Sequence, residues 1–236
     1  MMERQKRMTQ KQKTEQMSEI VRRLKEIYPS ALCALEWGGQ NGTLDEDTAL
    51  RESWKLLVMA RLSAQCTDAR VNIVCRDLFA RYPTVEALAN ADLFELESII
   101  RPCGLFRTKA DSIKRACEIL VRDFGGIVPS DMDELLSLPG VGRKIANLVR
   151  GDIYRLPGVV ADTHCIRICG RFGMYPESLK DPTKVERLLS PLIEPCEQSD
   201  FCHRIVQFGR DVCTARAPSC GTCPLSDVCR HAKQST

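Results

Sequence analysis

The 236-residue sequence has no apolar run long enough to cross a bilayer. It also lacks the apolar core near the N-terminus that an export signal needs. A membrane span and a secreted disulfide framework are therefore not expected, and the expected location is cytoplasmic. No segment alternates apolar and polar residues convincingly at period two, which argues against half-buried strands. No sign of charge dominates either: the net charge is only +3, so any basic surface for a polyanion must be local. Cysteine, by contrast, is plentiful, with 13 residues. Without an export signal these read as thiols and metal ligands. Hydrophobic residues make up 44% of the chain, enough for a globular core in one large domain or two small ones.

The apolar residues recur at helical spacing almost throughout. Met1 to about Gln16, rich in Lys, Arg and Gln, reads as a flexible basic arm, solvated more readily than bound to nucleic acid. Ile20, Val21, Leu24 and Ile27 mark an amphipathic helix ended by Pro29, and Trp37 to Gly42 has the composition of a loop. Trp54, Leu57, Val58 and Leu62 form one stripe, and Val71, Val74, Cys75, Leu78, Phe79 and Tyr82 another. Thr84 is placed to cap the next helix, Thr108 to cap a helix ended by Gly125-Gly126, and Thr183 to Glu186 to form a capping box. The expected class is all-α.

Leu138-Pro-Gly-Val-Gly-Arg-Lys144 interrupts this pattern. Two glycines just after a proline do not sit within a helix. Apolar residues before them, opened by Ser130 as N-cap, and Ile145, Leu148, Val149 and Ile153 after them read as helix, glycine hairpin, helix. Gly140 and Gly142 would let backbone N–H groups approach an anion, and the second helix would present its positive end there. Lys144, in the first turn of that helix, faces the same positive end, which disfavours its ammonium form and suits a nucleophilic amine. Downstream, Val159 to Ala161 is a short apolar run ending in the carboxylate of Asp162.

The tail holds Cys213, Cys220, Cys223 and Cys229, spaced C-x6-C-x2-C-x5-C, with Pro218 and Pro224 interrupting regular helix. Structural zinc usually draws on two C-x2-C knuckles, whereas this run has one short pair between wider gaps. The spacing favours a 4Fe–4S cluster, with zinc and ordinary buried thiols left open. Cys66, Cys117 and Cys169 read as small core hydrophobes.

Together the hairpin with Lys144, Asp162-Thr163-His164, the cysteine quartet, Leu62-Ser-Ala-Gln65 before Thr67-Asp68, and Gly104-Leu105 before Lys109-Ala110 resemble the endonuclease III family. These are DNA glycosylases and abasic-site lyases of the helix-hairpin-helix superfamily. The resemblance covers roughly residues 17–230. It implies a two-lobed fold: a six-helix lobe over 46–156, and an iron–sulfur lobe joining 17–45 to 157–236, with the active site in the cleft between the lobes. It implies Lys144 as nucleophile at the sugar C1′ and Asp162 as the carboxylate that stabilises developing positive charge and takes the amine's proton. It further implies Gln65 filling the gap left by a flipped nucleotide, Leu105 wedging against the opposite strand, and Gly140, Gly142, Arg143 and His164 at the DNA, with a structural role weighed more heavily for His164. The partner is double-stranded DNA with damaged bases or abasic sites, and a monomer is expected. Ala161 and Phe208 depart from the family pattern, which bears on the choice of base. Two rivals remain. One is a mismatch-type glycosylase, whose members generally lack lysine at this position. The other is a non-catalytic DNA-binding iron–sulfur protein, against which the joint presence of Lys144 and Asp162 argues.

Overall fold

The structure is a computed structural model that describes residues 8–30, 32–38 and 44–235. Among the described residues there are α-helices and short 3₁₀ turns and no strand, so the chain is all-α. No described helix is long and apolar enough to cross a membrane. The chain forms two compact units. One joins the residues up to Leu32 with those from Leu156 onward, and the other runs from Cys33 to Arg155. Residues 1–7, and positions 39–42 of the expected loop, lie outside the described residues.

Helix α1 (Gln10–Ile27) starts earlier than its apolar stripe suggests. Thr9 and Gln12 form a capping box: the Gln12 N–H donates to Thr9 Oγ1 at 3.3 Å and the Thr9 N–H to Gln12 Oε1 at 2.9 Å. Gln10 to Gln16, expected in the basic arm, are therefore helical. Polar contacts within the unit hold them, because Lys13 Nζ donates to the Met174 carbonyl at 2.5 Å and Gln16 Nε2 to the Phe172 carbonyl at 3.0 Å. An apolar-periodicity reading is blind to such contacts. Met17, Ile20 and Leu24 are buried, while Ile27 at the helix end is exposed.

The Cys33–Arg155 unit carries α2 (Glu46–Arg51), α3 (Ser53–Leu62), α4 (Asp68–Arg81), α5 (Val85–Ala89), α6 (Leu93–Ile100), α7 (Phe106–Phe124), α8 (Met132–Ser137) and α9 (Arg143–Tyr154). Helix α3 is buried on nearly every side, the signature of a central helix. Trp54 meets Phe79 of α4 edge-on at 5.3 Å between ring centroids. Helix α4 buries Val71, Val74, Cys75 and Leu78, and α7 buries Ile113, Cys117 and Leu120. Two caps differ from expectation. Asp131, not Ser130, opens α8, with Oδ1 accepting from the N–H groups of Asp133 and Glu134. Helix α7 starts at Phe106, and the Thr108 hydroxyl donates back to the Leu105 carbonyl at 3.0 Å instead of capping.

The other unit continues with α10 (Thr163–Phe172), α11 (Pro182–Leu189), α12 (Gln198–Asp211) and the short α13 (Ala232–Ser235). Helix α11 is capped by Asp181, whose Oδ1 accepts from Lys184 N at 3.0 Å. The expected box at Thr183 does not form, because Pro182 at the first helical position moves the start upstream. Helices α10 and α12 approach closely at Gly209, where a Cβ would lie 2.3 Å from His164 Nδ1 and 2.9 Å from Ile168 Cδ1. Phe172 and Phe208 stack nearby with centroids 6.3 Å apart. Phe208 is completely buried, so this departure from the family pattern is a core residue.

Candidate active site and metal centre

In the Cys33–Arg155 unit, α8 ends at Ser137 and α9 begins at Arg143, with Leu138 to Gly142 forming the hairpin. The Val141 N–H closes it onto the Leu138 carbonyl at 3.1 Å. The two glycines serve different ends. Gly140 has φ +79°, and a Cβ there would lie 2.5 Å from Arg61 Nε and 3.0 Å from Ser112 Cβ. Both the backbone conformation and the Arg61 side chain beneath it favour glycine here. Gly142 has an ordinary φ of −110°, and a Cβ on it would meet nothing within 4 Å. The protein's own packing does not require glycine there, so the space it leaves faces outward. Gly142 is the N-cap of α9, and no side chain caps the helix. A helix start with exposed Gly142, Arg143 and Lys144 is a ready site for an anion. Arg150, further along α9, donates from Nη1 to the Ser130 carbonyl at 2.7 Å.

The same unit has two exposed residues in the left-handed region, Gln65 at φ +57° and Leu105 at φ +48°. Such a conformation in a non-glycine residue costs about 1–3 kcal/mol unless its surroundings hold it. A third left-handed residue, Arg155, has an ordinary explanation, since it is the C-cap of α9. Gln65 sits in the turn between α3 and α4, and Leu105, 58% exposed, precedes α7. Large side chains held outward on strained backbone suit contact with something outside the chain.

In the other unit Asp162 is the N-cap of α10, with Oδ1 accepting from Cys165 N at 2.7 Å. The carboxylate is half-buried, and capping fixes its direction. His164 turns Nδ1 toward Arg167 Nη2 at 3.2 Å and packs against Gly209. A guanidinium can only donate, so Nδ1 accepts and the ring proton belongs on Nε2. This inward nitrogen gives His164 a packing role. Arg167 Nη2 also donates to the Cys213 carbonyl at 3.0 Å, linking α10 to the first cysteine of the tail.

Cys213, Cys220, Cys223 and Cys229 line one pocket together with Phe172 and Phe208. Short 3₁₀ turns at Cys220–Thr222 and Ser226–Val228, with Pro218 and Pro224 between and beside them, carry three of the sulfurs. Burial pushes the Cys223 and Cys229 thiols above their ordinary value, so thiolates there need positive charge at close range. Arg171 places its charge at the first cysteine of the set, with Nη1 3.2 Å from Cys213 Sγ, and the Leu225 N–H points to Cys223 Sγ at 3.4 Å. Four converging thiols, N–H donors to sulfur and an apolar wall fit a thiolate-bound metal centre. Cys117 and Cys169 are wholly buried in the cores, and Cys66 is half-buried.

One residue of this region was not singled out by its role. Lys109 is completely buried. An interior lysine carries no sequence mark beyond its place on the inner face of an otherwise amphipathic α7.

The chain matches two family models. Residues 58–195 match the HhH-GPD superfamily base excision DNA repair protein, and residues 213–229 match the iron–sulfur binding domain of endonuclease III. It is 42% identical to an endonuclease III from Synechocystis sp. over 94% of this chain and 95% of that one. Two solved structures are similar, each 36% identical with a TM-score of 0.82. One is a non-covalent endonuclease III–DNA complex, covering 94% of this chain and 97% of the other. The second is a trapped endonuclease III–DNA covalent intermediate, covering 94% and 98%.

Proposed function

The chain belongs to the endonuclease III family of base-excision DNA repair proteins, and on that premise we propose how its own residues carry the reaction. It is a DNA glycosylase and abasic-site lyase that acts on damaged pyrimidines and uses a 4Fe–4S cluster. The duplex it engages is one bearing a damaged base or an abasic site, and it works as a cytoplasmic monomer. The observation that carries the reading is the uncapped start of α9 behind an outward-open Gly142, with Lys144 in its first turn.

A damaged base is out of reach while stacked, so the nucleotide leaves the helix before reaction. The hairpin N–H groups and the start of α9 hold a backbone phosphate. Gln65 fills the gap in the stack, and Leu105 presses on the opposite strand. The Lys144 amine attacks C1′, and the glycosidic bond breaks with its electron pair leaving on the base. Asp162 stabilises the oxocarbenium character at C1′ and accepts the amine's proton. Sugar ring opening gives a Schiff base. The iminium acidifies the C2′ protons, and loss of one expels the 3′ phosphate. Cys213, Cys220, Cys223 and Cys229, which line one pocket, would hold the cluster, and ligation by all four would tie down a tail segment that has little regular structure of its own.

The test is a panel of duplexes carrying thymine glycol, dihydrouracil, uracil, 8-oxoguanine or a plain abasic site, with borohydride present in parallel. Release of the oxidised pyrimidines with a trapped adduct is expected. Uracil or adenine release without an adduct would favour a mismatch-type enzyme, and binding without release or adduct would favour a non-catalytic protein.

The hairpin makes its own prediction. Gly142→Ser should hold or raise the melting temperature, since serine is the better N-cap. The side chain would occupy the space left for a phosphate, so affinity for abasic duplex should fall about tenfold, the loss of one charged hydrogen bond. Unchanged affinity, measured by fluorescence anisotropy, would remove Gly142 from the DNA contact.

A further inference from the structure

Lys109 is the largest polar side chain sealed in the Cys33–Arg155 unit, with no exposed surface. Nζ donates to the Leu62 carbonyl at 2.8 Å and to the Cys103 carbonyl at 2.9 Å. Neither acceptor is a carboxylate, and burying an ammonium without a counter-charge is costly. Burial accordingly pulls its pKa down. The identity of the two carbonyls gives the lysine a purpose. Leu62 is the last residue of α3, where carbonyls lack helical partners and the helix dipole favours a cation. Cys103 is the last residue of the 3₁₀ turn Arg101–Cys103 that follows α6. The chain runs from Leu62 through Ser63 and Ala64 to Gln65, and from Cys103 through Gly104 to Leu105. One ammonium thus joins the stems of the two loops whose tips are the exposed left-handed residues. The Cys66 and Cys103 thiols lie near each other beside the same two stems.

We propose that Lys109 is a positioning residue: by bonding both stems it fixes the spacing between Gln65 and Leu105, so that one tip enters the stack while the other meets the opposite strand. The proposal rests on the duplex-opening roles given above to those two tips. It explains why an interior position holds an amine and not methionine: the lysine nitrogen carries the separate N–H donors that a helix end and a turn end need at once, and a thioether has none.

The test is Lys109→Met, which preserves much of the length and volume and removes the donors. Two substrates separate positioning from general damage: a duplex with thymine glycol, which must be opened, and a single-stranded abasic oligonucleotide, which has no opposite strand to wedge. Single-turnover base release from the duplex should fall about tenfold or more, as for a misplaced group. Strand scission of the single strand should stay within about twofold of the parent chain. Equal loss on both substrates, with or without a fall in melting temperature, would make Lys109 merely structural and overturn the proposal, as would no loss on the duplex. The parent chain offers a check that needs no variant. With 15N-lysine labelling, one ammonium resonance should be protected from solvent exchange; its absence would also overturn the proposal. A parent chain inactive on both substrates would instead defeat the proposed function, whatever the resonance shows.

Discussion

Lys144→Gln should form no borohydride-stable adduct with abasic DNA, within detection, while folding as well as the parent chain. The reasons for the two halves differ. Lys144 is exposed in the first turn of α9, where a positive charge faces the positive end of the helix. Removing that charge should change stability by no more than about 0.5 kcal/mol, and in the favourable direction. Glutamine keeps much of the length and is a good helix former. Its amide nitrogen has no available lone pair, so it forms no Schiff base and leaves no iminium to reduce. Affinity for abasic duplex should remain within about tenfold, because a single cationic contact is lost from many. Gel-resolved trapping and a melting curve on the same preparation check both halves. An adduct of normal yield would show that another amine is the nucleophile. A large fall in melting temperature would mean that the lysine is structural.

The parts that the sequence displayed and those it hid differ by a physical rule. Elements governed by local chemistry or by apolar spacing were legible: the stripe of α4, the Thr84 cap, the Gly125 stop, the glycine hairpin and the cysteine quartet. Caps went astray where two capping residues stood close together, as with Ser130 and Asp131. Asp181 could have been found, because proline directly after an aspartate marks the first helical position. The helical state of Gln10 to Gln16 was hidden because distant carbonyls at Phe172 and Met174 hold it. The left-handed backbone at Gln65 and Leu105 was hidden for a related reason. Neither residue prefers that conformation, so the surroundings must impose it, and part of those surroundings is a buried lysine far along the chain from Gln65. Sequence motifs named both tips, but only the structure shows what holds them.

Asp162→Asn separates two duties that one carboxylate performs. As an N-cap, Asp162 accepts from Cys165 N through Oδ1. Asparagine caps about equally well, so α10 and the melting temperature should be preserved. As a charge, Asp162 has no substitute: an amide does not stabilise an oxocarbenium ion comparably, nor does it accept the amine's proton. Single-turnover release of thymine glycol should therefore fall about 100- to 1,000-fold, the range for losing a stabilising group at a reacting centre. Scission at a preformed abasic site should fall less, because the ring-opened sugar offers an aldehyde and no glycosidic bond remains to break. Asp162→Ala removes the cap as well, and should lower stability by about 1 kcal/mol beyond the asparagine variant. If both variants slow base release equally while only alanine lowers the melting temperature, charge drives catalysis and the cap only orients it. If asparagine releases the base at the parent rate, the carboxylate is a cap and nothing more, and the charge that balances C1′ must be sought elsewhere.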